Sequence, residues 1–334
     1  MIGRRDIIVL ILLILLSFVL FLYGISMGAI SIPIADVTAL LLGKNTEIST
    51  WSLIIEERYL RTVNAFFAGG ALAVVGMVLQ SFFRNPLAGP GVLGISSGAS
   101  LGVALAIMVP MAYESGLIAQ YFFGLLGSFL VILLLISINR YIKGVTLLVV
   151  GLMLSFFTSA FVSMLLNGST DTMMRKYIEW GFGSFGMIQL DYFWYYILAI
   201  LSLLTFMFIR FPKVLNTWVL GEQMLLEAGY KTTQIRFTIL LVLGVLIALI
   251  TVQCGPISFI GIAIPQLARM ILKSTNHSIL LPTTLFLGGS LAIIADIILR
   301  TTEIGMPLNG ILALFGAPVI IYVIVRGARR GMVS

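Results

Sequence analysis

Cysteine is almost missing from this chain. Its one residue, Cys254, excludes an intrachain disulfide and any cysteine-based zinc or iron–sulfur site. Histidine is as scarce: His277 alone makes no metal cluster and reads as a polar residue in a loop. Charge is thin as well. Only 10% of the 334 residues are Asp, Glu, Lys or Arg, against about 25% in a soluble domain. The formal charge of +7 marks no nucleic-acid surface, because the basic residues lie between hydrophobic runs and form no patch. No G-x-x-x-x-G-K-[ST] phosphate loop occurs, so the chain cannot hydrolyse ATP alone. No nucleophile–base constellation is present, and an enzyme is not expected.

Apolar sequence fills the space that charge leaves. Apolar residues make up 60% of the chain and the mean hydropathy is +1.13. A soluble fold could not hide that much apolar surface, so the composition predicts an integral membrane protein. A helix needs about 20 apolar residues to cross the hydrocarbon. Ten such segments are legible: 6–28, 62–83, 92–110, 117–138, 146–166, 190–209, 236–253, 258–272, 279–298 and 307–325. The eighth is short and carries Pro265. The first could be a signal peptide, but its apolar run from Ile7 to Tyr23 exceeds the usual h-region and no clear A-x-A site follows. It reads as the first membrane helix of one transmembrane domain, 1–334.

Basic residues orient the spans. With the N-terminus inside, ten spans return the C-terminus to the same side. Fourteen of the twenty basic residues then lie inside, among them Arg84, Arg140, Lys143, Arg236, Arg269 and Arg330. Six remain outside: Lys44, Arg58, Arg61, Arg175, Lys176 and Arg300. A nine-span arrangement would spoil this asymmetry. The outside also holds Glu47, Glu56, Glu57, Glu114, Asp171, Glu179 and Asp191, with Trp51, Tyr59, Trp180, Tyr192 and Trp194 placed as interfacial anchors. The long connections 29–61, 167–189 and 210–235 have room for short helices only.

One inside connection is unusual. RNPLAGPGVLGISSGASLG, residues 84–102, opens with a stiff Asn-Pro-Leu turn. Gly94, Gly98 and Gly102 then recur every four residues on one helix face, a surface for close helix packing. A similar small-residue set, Gly69, Gly70, Ala73 and Gly76, lies in the preceding span.

This stretch resembles the signature of FecCD-type permease subunits of ABC importers for iron-siderophore, haem and vitamin B12. ERYLRTVNAFFAGGALAVVGMVLQ (57–80), GPISFIGIAIPQLARMI (255–271) with the following HSILLP, ADIILR and LFGAPVIIYVIVR resemble further family segments. The resemblance implies an all-α polytopic fold of about ten transmembrane helices, the type II importer permease fold, in a bacterial inner membrane with both termini cytoplasmic. It implies a second permease subunit, most simply an identical copy, a cytoplasmic ABC ATPase dimer, and a periplasmic or lipid-anchored binding protein. No cofactor is implied for this chain; ATP belongs to the partner.

By the same resemblance, Leu220, Gly221, Glu222, Ala228 and Gly229 lie in the segment that couples to the ATPase. An ordinary amphipathic helix on the lipid surface is the plain alternative. Arg58, Arg61 and Arg300 match basic positions that dock the binding protein; snorkelling anchors are the alternative. Asn85 and Leu87 match one inner gate, Gly144 and Val145 the other. Ser155, Ser159 and Ser163 stripe one face of the fifth span, as a pathway lining or as hydroxyls bonded back to their own helix. Gly181, Gly183 and Gly186 after a short outer helix could serve as a hinge or as turns. Asp296 is a functional candidate inside the membrane, with Arg300 four residues on as a structural partner. Gln266 departs from the family by replacing a histidine, and 300–310 looks short. A secondary transporter driven by an ion gradient is the competing class, disfavoured because the spans hold almost no acid apart from Asp296. A membrane scaffold without transport is the third.

Overall fold

In the computed structural model the described residues are 3–42, 50–108, 116–142, 144–188, 190–302 and 306–329. Lys44, Glu47, Glu114, Lys143 and Arg330 lie outside them. Among the described residues the regular elements are helices and no strand occurs. In chain order they are α1 (Arg4–Ser26), α2 (Ile34–Leu41), α3 (Thr50–Phe83), α4 (Ile95–Met108), α5 (Gly116–Ile138), α6 (Val145–Asn167), α7 (Asp171–Gly181), α8 (Leu190–Leu220), α9 (Glu222–Glu227), α10 (Thr232–Cys254), α11 (Ile260–Leu272), α12 (His277–Thr301) and α13 (Leu308–Arg329). A single 3₁₀ turn, Pro90–Leu93, precedes α4.

Among the described residues every predicted apolar segment is helical. Seven helices among them are long and apolar enough to cross a membrane: α1, α3, α5, α6, α8, α10 and α12. The remaining three predicted segments form the shorter apolar helices α4, α11 and α13. The predicted short connecting helices are α2, α7 and α9. Two boundaries differ from expectation. Helix α3 starts at Thr50 instead of 62, because the charges that ended the hydropathic run are carried inside a helix. Helix α8 continues to Leu220, past Arg210, Pro212 and Lys213, since a helix need not stop where the hydrocarbon does.

The core forms around α3, whose apolar window is 89% buried. It is lined with alanine and glycine, which lets neighbours approach closely. A Cβ at Gly70 would sit 2.8 Å from the Leu285 carbonyl of α12, and one at Gly76 would overlap the Gly261 carbonyl of α11. The glycine rhythm of α4 acts likewise against α5. A Cβ at Gly98 would lie 2.7 Å from the Gly127 carbonyl oxygen, and one at Gly102 would overlap that of Phe123. Close packing is thus what these glycines provide. Leucine, isoleucine and phenylalanine on the outer faces of α1, α5 and α6 stay exposed, as a lipid-facing surface requires.

Candidate functional site

The end of the molecule at the C-terminus of α3 gathers most of the singled-out residues. Asn85 Oδ1 accepts from the Leu87 N–H at 2.9 Å, closing the Asn-Pro-Leu turn locally. The turn is then tied into the bundle. Gln266 Nε2 donates to the Pro86 carbonyl (3.1 Å) and to Gln80 Oε1 (2.7 Å). Arg269 donates to the same Gln80 oxygen and, at 3.2 Å, to Ser81 Oγ. Ser81 Oγ lies 2.7 Å from His277 Nε2. Asn216 Oδ1 accepts from the backbone N–H of His277 and faces its Nδ1 at 2.8 Å. That amide oxygen can only accept, so it selects the Nδ1–H tautomer. His277 is therefore no loop residue: it is 2% exposed and opens α12 within a network across four helices. Sequence reasoning missed this network. Its legible signal was a set of lone polar side chains, Gln80, Gln266 and Arg269, in otherwise apolar helices.

A cavity of about 270 Å³ lies beside the turn, lined by Phe82, Phe83, Arg84, Gly144, Trp218, Glu222 and Arg236. It brings together four separate stretches of chain. Arg84, with a left-handed φ of 51°, donates to the Trp218 carbonyl at 2.7 Å. Trp218 stacks on Phe82 with ring centres 5.0 Å apart and donates from its indole to the Phe82 carbonyl. The Arg236 guanidinium lies 5.0 Å from the Trp218 ring and pairs with Glu222 at 3.0 Å. Gly144 and Glu222 thus share a cavity, although one was expected in a gate and the other in the coupling segment. Leu87 and Val145 are exposed nearby, at 43% and 52%. Helix α9 is bounded by Gly221 (φ 141°) and Gly229 (φ 81°). Its Leu225 is buried, while Leu220, Met224 and Leu226 are exposed; Ala228 and Gly229 are exposed past its end.

The serine stripe on α6 is mostly turned to its own backbone. Ser155 donates to the Gly151 carbonyl (3.1 Å) and Ser163 to that of Ser159 (3.0 Å). Ser159 is exposed on the same helix among large apolar side chains such as Phe156.

At the other end of α3, Arg58, Arg61 and Arg300 converge. Arg58 is 8% exposed and donates to the carbonyls of Ile25, Ser26 and Ile30. Arg61 pairs with Asp296 at 2.8 Å and Arg300 pairs with it at 3.0 Å. Arg300 also donates to the Gly24 and Met27 carbonyls. One buried carboxylate and two arginines thereby lock α1, α3 and α12 together. The connection after α7 is tied down too. Ser184 N–H donates to the Cys254 carbonyl, Asn64 Nδ2 to that of Phe185, and the Trp180 indole to that of Val252. Trp180 is 5% exposed, so it packs inward and is not an interfacial anchor. Gly183 adopts φ 76° within this clamp, a turn position.

The profile of the FecCD transport family matches residues 12–326. The chain belongs to this family. The FecCD chain is 32% identical to the hemin transport system permease protein HmuU of Yersinia pestis, over 94% of each protein. It is also 32% identical to the vitamin B12 import system permease protein BtuC of Photorhabdus laumondii, covering 84% of this chain and 82% of that one. Its fold matches a solved inward-facing conformation assigned to a metal-chelate type ABC transporter, with a TM-score of 0.82 and 26% identity. That match covers 96% of the FecCD chain and 99% of the solved one. In this FecCD member, Gln266 holds the Asn-Pro-Leu turn through the Pro86 carbonyl.

Proposed function

We propose that the chain is the membrane-spanning permease subunit of an ATP-driven importer. Its cargo is a ferric siderophore or a related metal chelate, haem or cobalamin. A binding protein delivers the cargo at the Arg61 and Arg300 end, and two cytoplasmic ATPase subunits act at the α9 end. Two copies of the chain enclose one pathway in the inner membrane.

The observation that carries this reading is the cavity shared by Arg84, Gly144 and Glu222. A displacement of α9 has two short routes to the gate turn. One passes through the Glu222–Arg236 pair to Phe82 at the end of α3, whose ring lies 6.0 Å from the Arg236 guanidinium. The other passes through Trp218, which is stacked on Phe82 and bonded to Arg84, into the end of α3. The exposed Leu220, Met224 and Leu226 supply an apolar contact for a partner groove. At the opposite end, Arg61 and Arg300 keep 16% and 10% of their side chains exposed and can meet acidic groups, while Arg58 acts as a brace behind them. Ion-gradient coupling is disfavoured by the pairing of Asp296 with two arginines.

The test has two readouts. The chain should co-purify with an ATPase of the ABC class. A strain lacking its gene should lose uptake of one among haem, cobalamin and a panel of ferric siderophores. Normal uptake of all of them in that strain would overturn the proposal.

A further inference from the structure

A second feature of the α9 end lies outside the gate. Between the C-terminus of α5 and the N-terminus of α10 is a cavity of about 650 Å³. Its polar lining includes Asn139, Arg140, Thr232, Thr233 and Arg236, with no acidic residue. Arg140 forms no ion pair among the described residues. Arg236 gives one nitrogen to Glu222, while its Nε has no hydrogen-bond partner. Asn139 is 9% exposed and its Oδ1 also lacks a partner. Buried polar groups of this kind are normally satisfied. The first backbone N–H groups of α10, at Thr232 and Thr233, add donors and the positive end of a helix dipole.

A second cavity of different character lies further along the same two helices. It has a volume of about 300 Å³ and lies between Phe122, Phe129 and Ile132 of α5 and Val245 and Ala248 of α10. Its walls are apolar, and Phe122 and Phe129 are exposed at 62% and 46%. Ile132 and Ile136, one turn apart on α5, line the apolar and the polar cavity respectively. From Ile132 to Phe122 the helix rises about 15 Å. That matches one leaflet, half of the roughly 30 Å hydrocarbon core. A basic head region with donors, followed by a leaflet-deep apolar crevice, is complementary to one amphiphile.

We propose that the α5–α10 groove binds an anionic phospholipid with a hydroxylated head group, of the phosphatidylglycerol class. The phosphate sits between Arg140 and Arg236, a head-group hydroxyl supplies the donor that Asn139 Oδ1 lacks, and an acyl chain fills the crevice. Basic pockets between membrane helices on the cytoplasmic side suit such head groups. The site rests on the membrane placement of these helices and not on the cargo. Because Arg236 also holds Glu222, the lipid shares a residue with the coupling segment.

The test uses purified full-length chain, delipidated in detergent and titrated with dioleoylphosphatidylglycerol or dioleoylphosphatidylcholine, with bound lipid counted by native mass spectrometry. The chain should retain phosphatidylglycerol and not phosphatidylcholine. Arg140→Gln removes a phosphate contact and Val245→Trp fills the crevice; each should weaken phosphatidylglycerol binding about tenfold, the loss of one charged or well-packed contact. Equal retention of both lipids, or variants that bind as the parent does, would overturn the site. Displacement by inorganic phosphate, with Val245→Trp unaffected, would mean a free-anion site and overturn the lipid assignment. Loss of bound lipid on adding the ATPase would assign the cavity to a protein partner instead. Lipid binding in detergent does not depend on transport, so a negative result here leaves the permease reading standing.

Discussion

Asp296 is 1% exposed, and both arginines that meet it are largely buried. Removing one member of such a group strands the others without a counter-charge. Asp296→Ala should cost about 3–5 kcal/mol and lower the thermal midpoint in detergent. Arg58→Glu should reduce the yield of folded protein, because its guanidinium serves three backbone carbonyls. Weakened binding-protein association at full yield would contradict that brace. Gln266 offers a cleaner case. Gln266→Leu leaves the Pro86 carbonyl without its donor and Gln80 Oε1 with Arg269 alone, costing about 1–3 kcal/mol. Uptake should fall, and Gln266→His, which keeps a ring N–H, should restore part of it. Both glutamines were visible as isolated amides in apolar sequence. Their mutual contact was not, since they are 186 residues apart.

At the level of elements, two glycine uses separate. Gly102 permits contact between α4 and α5, and a Cβ there meets backbone, which cannot swing aside. Gly102→Ala should destabilise by about 1–3 kcal/mol through forced separation. Gly91→Ala, where a Cβ meets nothing within 4 Å, is the control and should be silent in a thermal melt. Gly221 is different: it has free space, but its φ of 141° excludes most side chains. Gly221→Val adds about 1–3 kcal/mol of backbone strain at the start of α9. The expected outcome is ATP hydrolysis in the assembled importer without matching uptake; tight coupling in this variant would count against α9 as the coupling element. The glycine spacing on α4 was readable as a packing face. The conformation of Gly221 was not, because a backbone angle leaves no periodic trace.

For the whole molecule, the topology makes a labelling prediction. Cys254 is buried, so introduced cysteines can be read against a low background. Arg140→Cys should react with an impermeant maleimide only from the cytoplasmic side, and Asp171→Cys only from outside, since α6 runs between them. Reaction of both from one face would overturn the crossing of α6 and the orientation read from the basic residues.

Composition and local pattern determined membrane residence, the helical segments, the small-residue faces and the family resemblance, because each depends on residues near one another in the chain. Only the tertiary structure decided the partners of the few polar groups. Arg61 meets Asp296 across 235 residues, and Ser81 meets His277 across 196. In an apolar interior each such group must find a partner wherever folding brings one, and no local period records which. For that reason Arg58, which read as part of a charged rim, became a brace, and a histidine that read as a loop residue became part of the core.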